Sequence, residues 1–168
     1  MDASDVLMDL YGRVPHLARE AIEDLDAEQL AAQPGKDANT IAWLIWHLAR
    51  IQDAQVAELI GEPQLWEGGE WAVRLGLVPD PSNHGYGHSA DEVRSIKPSG
   101  PDVLLDYLDT VDGKTQLYLR DLTPGDLERI VDRNWDPPVT LGVRLNSVVE
   151  DCLQHVGQAA YVRGLIGA

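Results

Sequence analysis

The chain has 168 residues, 28 acidic against 13 basic side chains and a formal net charge of -15. That size buries a core without disulfide or metal cross-links, and that charge repels phosphate backbones and anionic lipid, so neither nucleic acid nor a membrane surface is an expected partner. The lone Cys152 has no internal partner, the opening MDASDVLMDLYG is acidic where a signal peptide is basic, and no apolar run reaches the ~20 residues of a membrane span; the expected compartment is the cytoplasm.

Apolar residues recur at steps of three and four from 4 to 25 (Val6, Leu7, Leu10, Tyr11, Val14, Leu17, Ala18, Ala21, Ile22, Leu25), which predicts a first long helix. Pro15 inside it removes a backbone donor and predicts a kink or a later start. After the polar link DAEQLAAQPGKDAN, Thr40 caps a second helix with the stripe Ile41, Leu44, Ile45, Leu48, Ile51, Val56 and Leu59, ending at Gly61. From Glu62 to Gly100 the pattern breaks into Gly, Pro, Trp and polar residues, with a short helix expected in EGGEWAVRLGL. A third helix starts at Pro101 and runs through Val103, Leu104, Tyr107, Leu108, Val111, Leu117 and Tyr118 toward Leu122, weakened at Gly113. The link TPGDLERIVDRNWDPPV leads to Thr140, which caps a fourth helix with the stripe Leu141, Leu145, Val148, Val149, Cys152, Val156, Ala159 and Ala160.

Four amphipathic segments without strand alternation predict an all-α fold, a four-helix bundle forming a single domain over residues 1–168. The link between the second and third helices is long enough to cross the bundle, which allows an up-down-down-up order with long crossover loops.

On the fourth helix, Asp151 and His155 are separated by one turn, about 6 Å along the axis and roughly 40° around it, so they project as neighbours beside the apolar stripe. On the second helix, His47 lies just off the edge of the Leu44, Leu48 and Ile51 stripe. If those helices face each other, two imidazoles and a carboxylate form a three-ligand set for a divalent cation such as Zn, Ni or Fe(II), with positions left for water or substrate. The same spacing also describes a solvated Asp–His pair and an unrelated core histidine.

The segments TIAWLIWHLARIQD, VTLGVRL and EDCLQHVGQAAYVRGLI, in that order, resemble the DinB-like superfamily, and within it the mycothiol-dependent S-transferases and the metal-binding domain of mycothiol-dependent maleylpyruvate isomerase. GYGHSADEV and EWAVRLGL resemble the actinobacterial mycothiol transferase subgroup. The resemblance implies a four-helix bundle whose metal is held by a His on the second helix and two residues on the fourth, here His47, Asp151 and His155. Asp151 departs from the pattern: many members carry His there, and the isomerase branch carries a carboxylate, usually Glu, one methylene longer.

The implied activity is a divalent-metal-dependent S-transferase. It would activate a low-molecular-weight thiol, mycothiol by the resemblance, for attack on a small electrophile, in a monomer or homodimer. Alternatives are a thiol-dependent isomerase with the same centre, a noncatalytic protein with a structural metal, and a metal-free binding module. Trp43, Arg50 and Asp53, near His47, are candidates for holding a polar cofactor or orienting a ligand, an ordinary ion pair being the alternative for Arg50 and Asp53. Tyr86 and His88 in the crossover are candidates for substrate contact or proton transfer, against a plain surface loop. Trp43, Trp46, Trp66 and Trp71 line a pocket or pack the bundle. Cys152, within the apolar stripe, reads as a small buried hydrophobe, and His16 and His84 as structural or exposed.

Overall fold

Short polar side chains open three of the four long helices. In the computed structural model of the chain, which describes residues 2–168, α1 (Ala3–Ile22) begins at a reciprocal box: the Asp2 carboxylate accepts from the Asp5 backbone N–H and the Asp5 carboxylate from that of Asp2. A single-turn helix, α2 (Ala27–Ala31), follows. Thr40 Oγ1 accepts from the Trp43 N–H to start α3 (Ile41–Ile60), which stops where Gly61 takes a left-handed φ of 71°. The crossover holds a 3₁₀ turn at Leu65–Gly68, α4 (Glu70–Arg74) and α5 (Ala90–Ser95). Then come α6 (Asp102–Arg120), a two-stranded antiparallel hairpin of β1 (Ile130–Asp132) and β2 (Val139–Thr140), and α7 (Leu141–Ile166), whose first turn is capped by Thr140.

Helix α1 starts at Ala3 and continues unbroken through Pro15. An interior proline costs about 3 kcal/mol, but Val14 and Ala18 beside it are fully buried, so packing of this face offsets the lost ladder bond. Helix α4 lies inside the stretch where a short helix is expected, whereas α2, α5 and the hairpin have no counterpart in the sequence reading. With two to six residues each, they are shorter than the window in which periodicity registers.

Helix direction follows from the cross-helix bonds. Tyr11 Oη donates to the Leu145 carbonyl and Arg163 Nη1 to those of Glu20 and Ala21, so α1 and α7 run parallel. Cys152 lies against the Leu48 carbonyl while Arg144 reaches Gln55 and Glu58, so α7 opposes α3. Ser4 donates to the Leu119 carbonyl and Arg19 to Asp109, so α6 opposes α1. The order is up-down-down-up, with α1 and α3 diagonal and all four helices contributing to one continuous core. Cys152 is fully buried within it, and burial pushes its thiol well above the ordinary range. Among the described residues no helix is long and apolar enough to cross a membrane.

The crossover is fastened to α3 by a fully buried ion pair. Arg50 engages all five of its N–H donors: Nε to the Asn83 carbonyl, Nη1 to Asp53 Oδ2 and Tyr107 Oη, Nη2 to Gln64 Oε1 and the Pro81 carbonyl. Asp53 accepts from the Leu65 and Trp66 backbone and from Tyr107 Oη, and the Arg50 guanidinium lies over the Trp66 ring at 4.7 Å. Removing one member of a buried pair strands the other charge, at about 3–5 kcal/mol, whereas removing one neutral hydroxyl costs about 1–3 kcal/mol. Urea unfolding is expected to rank the variants accordingly, with Arg50→Leu losing more stability than Tyr107→Phe.

Candidate metal centre

His47 sits on the second turn of α3, 5% exposed, and its ring is held from two directions. Its Nδ1 lies 2.5 Å from the His84 carbonyl oxygen, which cannot donate, so Nδ1 carries the proton and Nε2 keeps its lone pair. The Trp43 indole stacks on one face at 4.5 Å, nearly parallel at 9°. Burial lowers the His47 pKa, with the neighbouring His155 and His84 adding to the effect; the His84 carbonyl and the Asp151 charge oppose it only in part. The ring is therefore neutral at physiological pH, the form that ligates a cation.

Across the α3–α7 interface His155 meets His47 with ring centroids 4.7 Å apart. His155 Nδ1 donates to the Asp151 carbonyl one turn back at 2.8 Å, again leaving Nε2 free. Asp151 Oδ2 comes within 3.4 Å of that Nδ1, but the nitrogen's one proton is already committed to the shorter backbone bond. Asp151 Oδ2 is consequently a buried acceptor without a donor. For His155, burial lowers the pKa, yet the hydrogen bonds to Asp151 and its charge outweigh burial and raise it above the ordinary value.

Two imidazoles whose Nδ1 atoms are held by carbonyls and whose Nε2 atoms are unengaged, together with a carboxylate oxygen that lacks a hydrogen-bond donor, are a donor set that fits a divalent cation. One potential ligand atom of each of the three residues lies within 4.8 Å of the others. Two donors at about 2.1 Å from one ion stand at most ~4.2 Å apart, so a small side-chain contraction completes the set. The Asp151 side chain is 34% exposed, on the α7 side of the site.

The other sequence candidates occupy distinct places. Trp43 forms the wall behind His47. Arg50 and Asp53 are buried and fully engaged with the crossover, leaving neither a free donor nor an unoccupied carboxylate oxygen for a cofactor. Tyr86 is 87% exposed on the crossover. His88 is half-buried with both ring nitrogens in use, Nδ1 accepting from Trp43 Nε1 at 3.1 Å and Nε2 donating to Asn83 Oδ1 at 2.9 Å. Trp46, Trp66 and Trp71 pack the interior; the indole N–H groups of Trp46 and Trp66 find no acceptor, so ring contacts alone hold them. His16 is exposed, near Glu20. An apolar groove of about 450 Å³ between α1 and α7 contains none of the three candidate ligands.

Two participants are missing from the sequence reading. The His84 carbonyl is backbone and leaves no residue signature. Gly85 is legible only as one of several loop glycines, yet at φ 93° it packs so closely that a Cβ would stand 2.8 Å from His47 Nδ1 and 2.9 Å from Trp46. Gly85→Ala is expected to displace the crossover from His47 and to weaken cation binding at least tenfold, read by competition with a chromophoric chelator, while helical circular dichroism is retained. Binding should also weaken on acidification. A cation must displace any proton on His155, and the raised pKa of that group starts the competition above the ordinary imidazole value of about 6.5; below it, affinity falls about tenfold per pH unit.

The profile of the DinB superfamily matches residues 10–159. A crystal structure described as the conserved protein of locus from Enterococcus faecalis superposes with a TM-score of 0.91 at 29% identity, over 100% of this chain and 99% of that one. No curated protein matches the chain. With the bundle topology and the sequence profile in agreement, the chain belongs to the DinB superfamily.

Proposed function

We propose that the protein is a divalent-metal-dependent S-transferase that joins a low-molecular-weight thiol, mycothiol by family resemblance, to a small electrophile. The observation that carries this reading is the number and setting of the donors: three protein atoms, not four, at a partly exposed position between α3 and α7. Structural zinc sites close with four protein ligands, whereas catalytic sites keep a position open. The DinB superfamily includes metal-dependent enzymes, which fits the same reading.

His47, Asp151 and His155 would hold the cation, with Zn, Ni or Fe(II) all compatible with two imidazoles and a carboxylate. The bound cation would supply positive charge that favours a thiolate over a thiol, whose ordinary pKa of about 8.5 leaves it mostly protonated at neutral pH. The chain's own residues fix the rest. The His84 and Asp151 carbonyls keep both imidazoles in the tautomer that presents Nε2. Trp43 backs His47, and Tyr86, exposed on the crossover beside Gly85, is the residue proposed to meet the electrophile or take part in proton transfer. The new bond joins sulfur to the electrophilic carbon, the leaving group departs with the bonding pair, and the thiol proton passes to solvent.

A thiol-dependent isomerase is the second reading, favoured by the carboxylate at Asp151 in place of a third imidazole. Both are tested by incubating untagged protein with a fluorogenic electrophile and mycothiol, bacillithiol, glutathione or cysteine, with and without added divalent metal. Conjugation well above the uncatalysed rate with one preferred thiol, lost in His47→Ala and on chelation, is the expected result. A metal-loaded protein that conjugates no thiol, but isomerises a double bond in a thiol-dependent manner, selects the isomerase; inactivity in both assays removes the catalytic reading.

A further inference from the structure

Three residues on one flank of α3, at i, i+4 and i+7, each grip the same short piece of the crossover. Trp43 Nε1 donates to the His88 ring, His47 Nδ1 to the His84 carbonyl, and Arg50 to the Asn83 and Pro81 carbonyls. The candidate metal ligand is the middle of the three. The loop also closes on itself: His88 Nε2 donates to Asn83 Oδ1, and the His88 N–H to the Gly85 carbonyl. Between these ties, Gly85 presses its Cα side against Trp43, Trp46 and His47.

We propose that residues 83–88 act as a clamp on the His47 ring, and that His88 is a positioning residue for that ligand. The geometry carries it. An imidazole on a helix rotates about two side-chain bonds, and a ligand must hold both its plane and its tautomer. The His84 carbonyl fixes the tautomer, and the Trp43 indole, stacked at 4.5 Å and 9°, fixes the plane. Trp43 is itself held in rotation by its one polar atom, whose acceptor is His88 Nδ1. His88 is kept as an acceptor there because its proton sits on Nε2, bound to Asn83, and its ring is seated flat on Trp46 at 5.6 Å and 18°. The order thus runs from the loop through an indole to the ligand, without His88 touching either the ligand or the cation position.

The inference rests on the metal-centre reading, and the test separates the two. His88→Phe keeps a ring on Trp46 but offers Trp43 no acceptor and Asn83 no donor; His88→Gln restores one of each. Cobalt(II) titration with visible spectroscopy is paired with long-range proton–nitrogen NMR of the imidazoles in the metal-free protein. In the metal-free wild type, His47 is expected to show a single form protonated at Nδ1. In His88→Phe the loop is no longer closed on Asn83, so the His84 carbonyl is loosened from Nδ1 and His47 is expected to become a mixture, with cobalt affinity down about 10- to 100-fold and an altered ligand-field band, and His88→Gln should recover most of both. A folded His88→Phe variant with unchanged affinity and an unmixed His47 tautomer overturns the proposal. Should His88→Phe not fold, Asn83→Ala carries the same test, since it removes the Oδ1 partner of His88 and leaves the carbonyl that Arg50 holds; an unchanged His47 there overturns it equally. Wild-type protein that takes up no cobalt refutes the metal centre, and the His47 tautomer still decides the clamp.

Discussion

Helix α3 buries His47, Arg50, Gln52 and Asp53 on the same cylinder as its apolar stripe. A buried polar group without a partner costs several kcal/mol, and a buried charge costs more. Within the bundle, Tyr107 and Thr115 of α6 meet part of that demand, Tyr107 bonding Arg50 and Asp53, and Thr115 bonding Gln52. Most of it is met by the crossover, which turns carbonyls and N–H groups toward α3: Asn83 and Pro81 for Arg50, Leu65 and Trp66 for Asp53, His84 for His47. The long irregular passage between α3 and α6 is thus the hydrogen-bonding complement of one helix face. It also carries the chain across the bundle so that α3 and α6 run parallel.

The same requirement builds the site. A histidine whose Nδ1–H is taken by a carbonyl has no choice of tautomer, and both His47 and His155 are in that position, one through the crossover and one through the preceding turn of its own helix. Burial lowers the pKa of His47 and the Asp151 carboxylate raises that of His155. The two imidazoles therefore differ in proton affinity while presenting the same ligating atom. Asp151 Oδ2 is left as the unsatisfied acceptor between them. His155 Nδ1 lies 3.4 Å from it, and a cation held by His47 and His155 would give it a partner.

Much of this was legible in the sequence because it is local. Thr40 and Gly61 bound α3, and Thr140 opens α7, through side-chain caps and a left-handed glycine that act over three or four residues. The one-turn spacing of Asp151 and His155 is a property of any helix. Elements of two to six residues escaped because their stability comes from what they lie against. Arg50 and Asp53 read equally well as a surface ion pair, since i and i+3 look the same whether the flank faces water or a loop. Only the fold makes them the buried anchor of the crossover.

The sequence by itself determined the all-α class, the four long helices and the residue types able to hold a cation, because periodicity, capping chemistry and ligand chemistry are written in side chains at fixed short spacings. Tertiary structure alone decided that α3 faces α7, which brings His47 to Asp151 and His155, and that the His84 carbonyl and Gly85 meet the His47 ring. Those contacts join residues far apart in the chain, and one is made by backbone, so no local pattern records them.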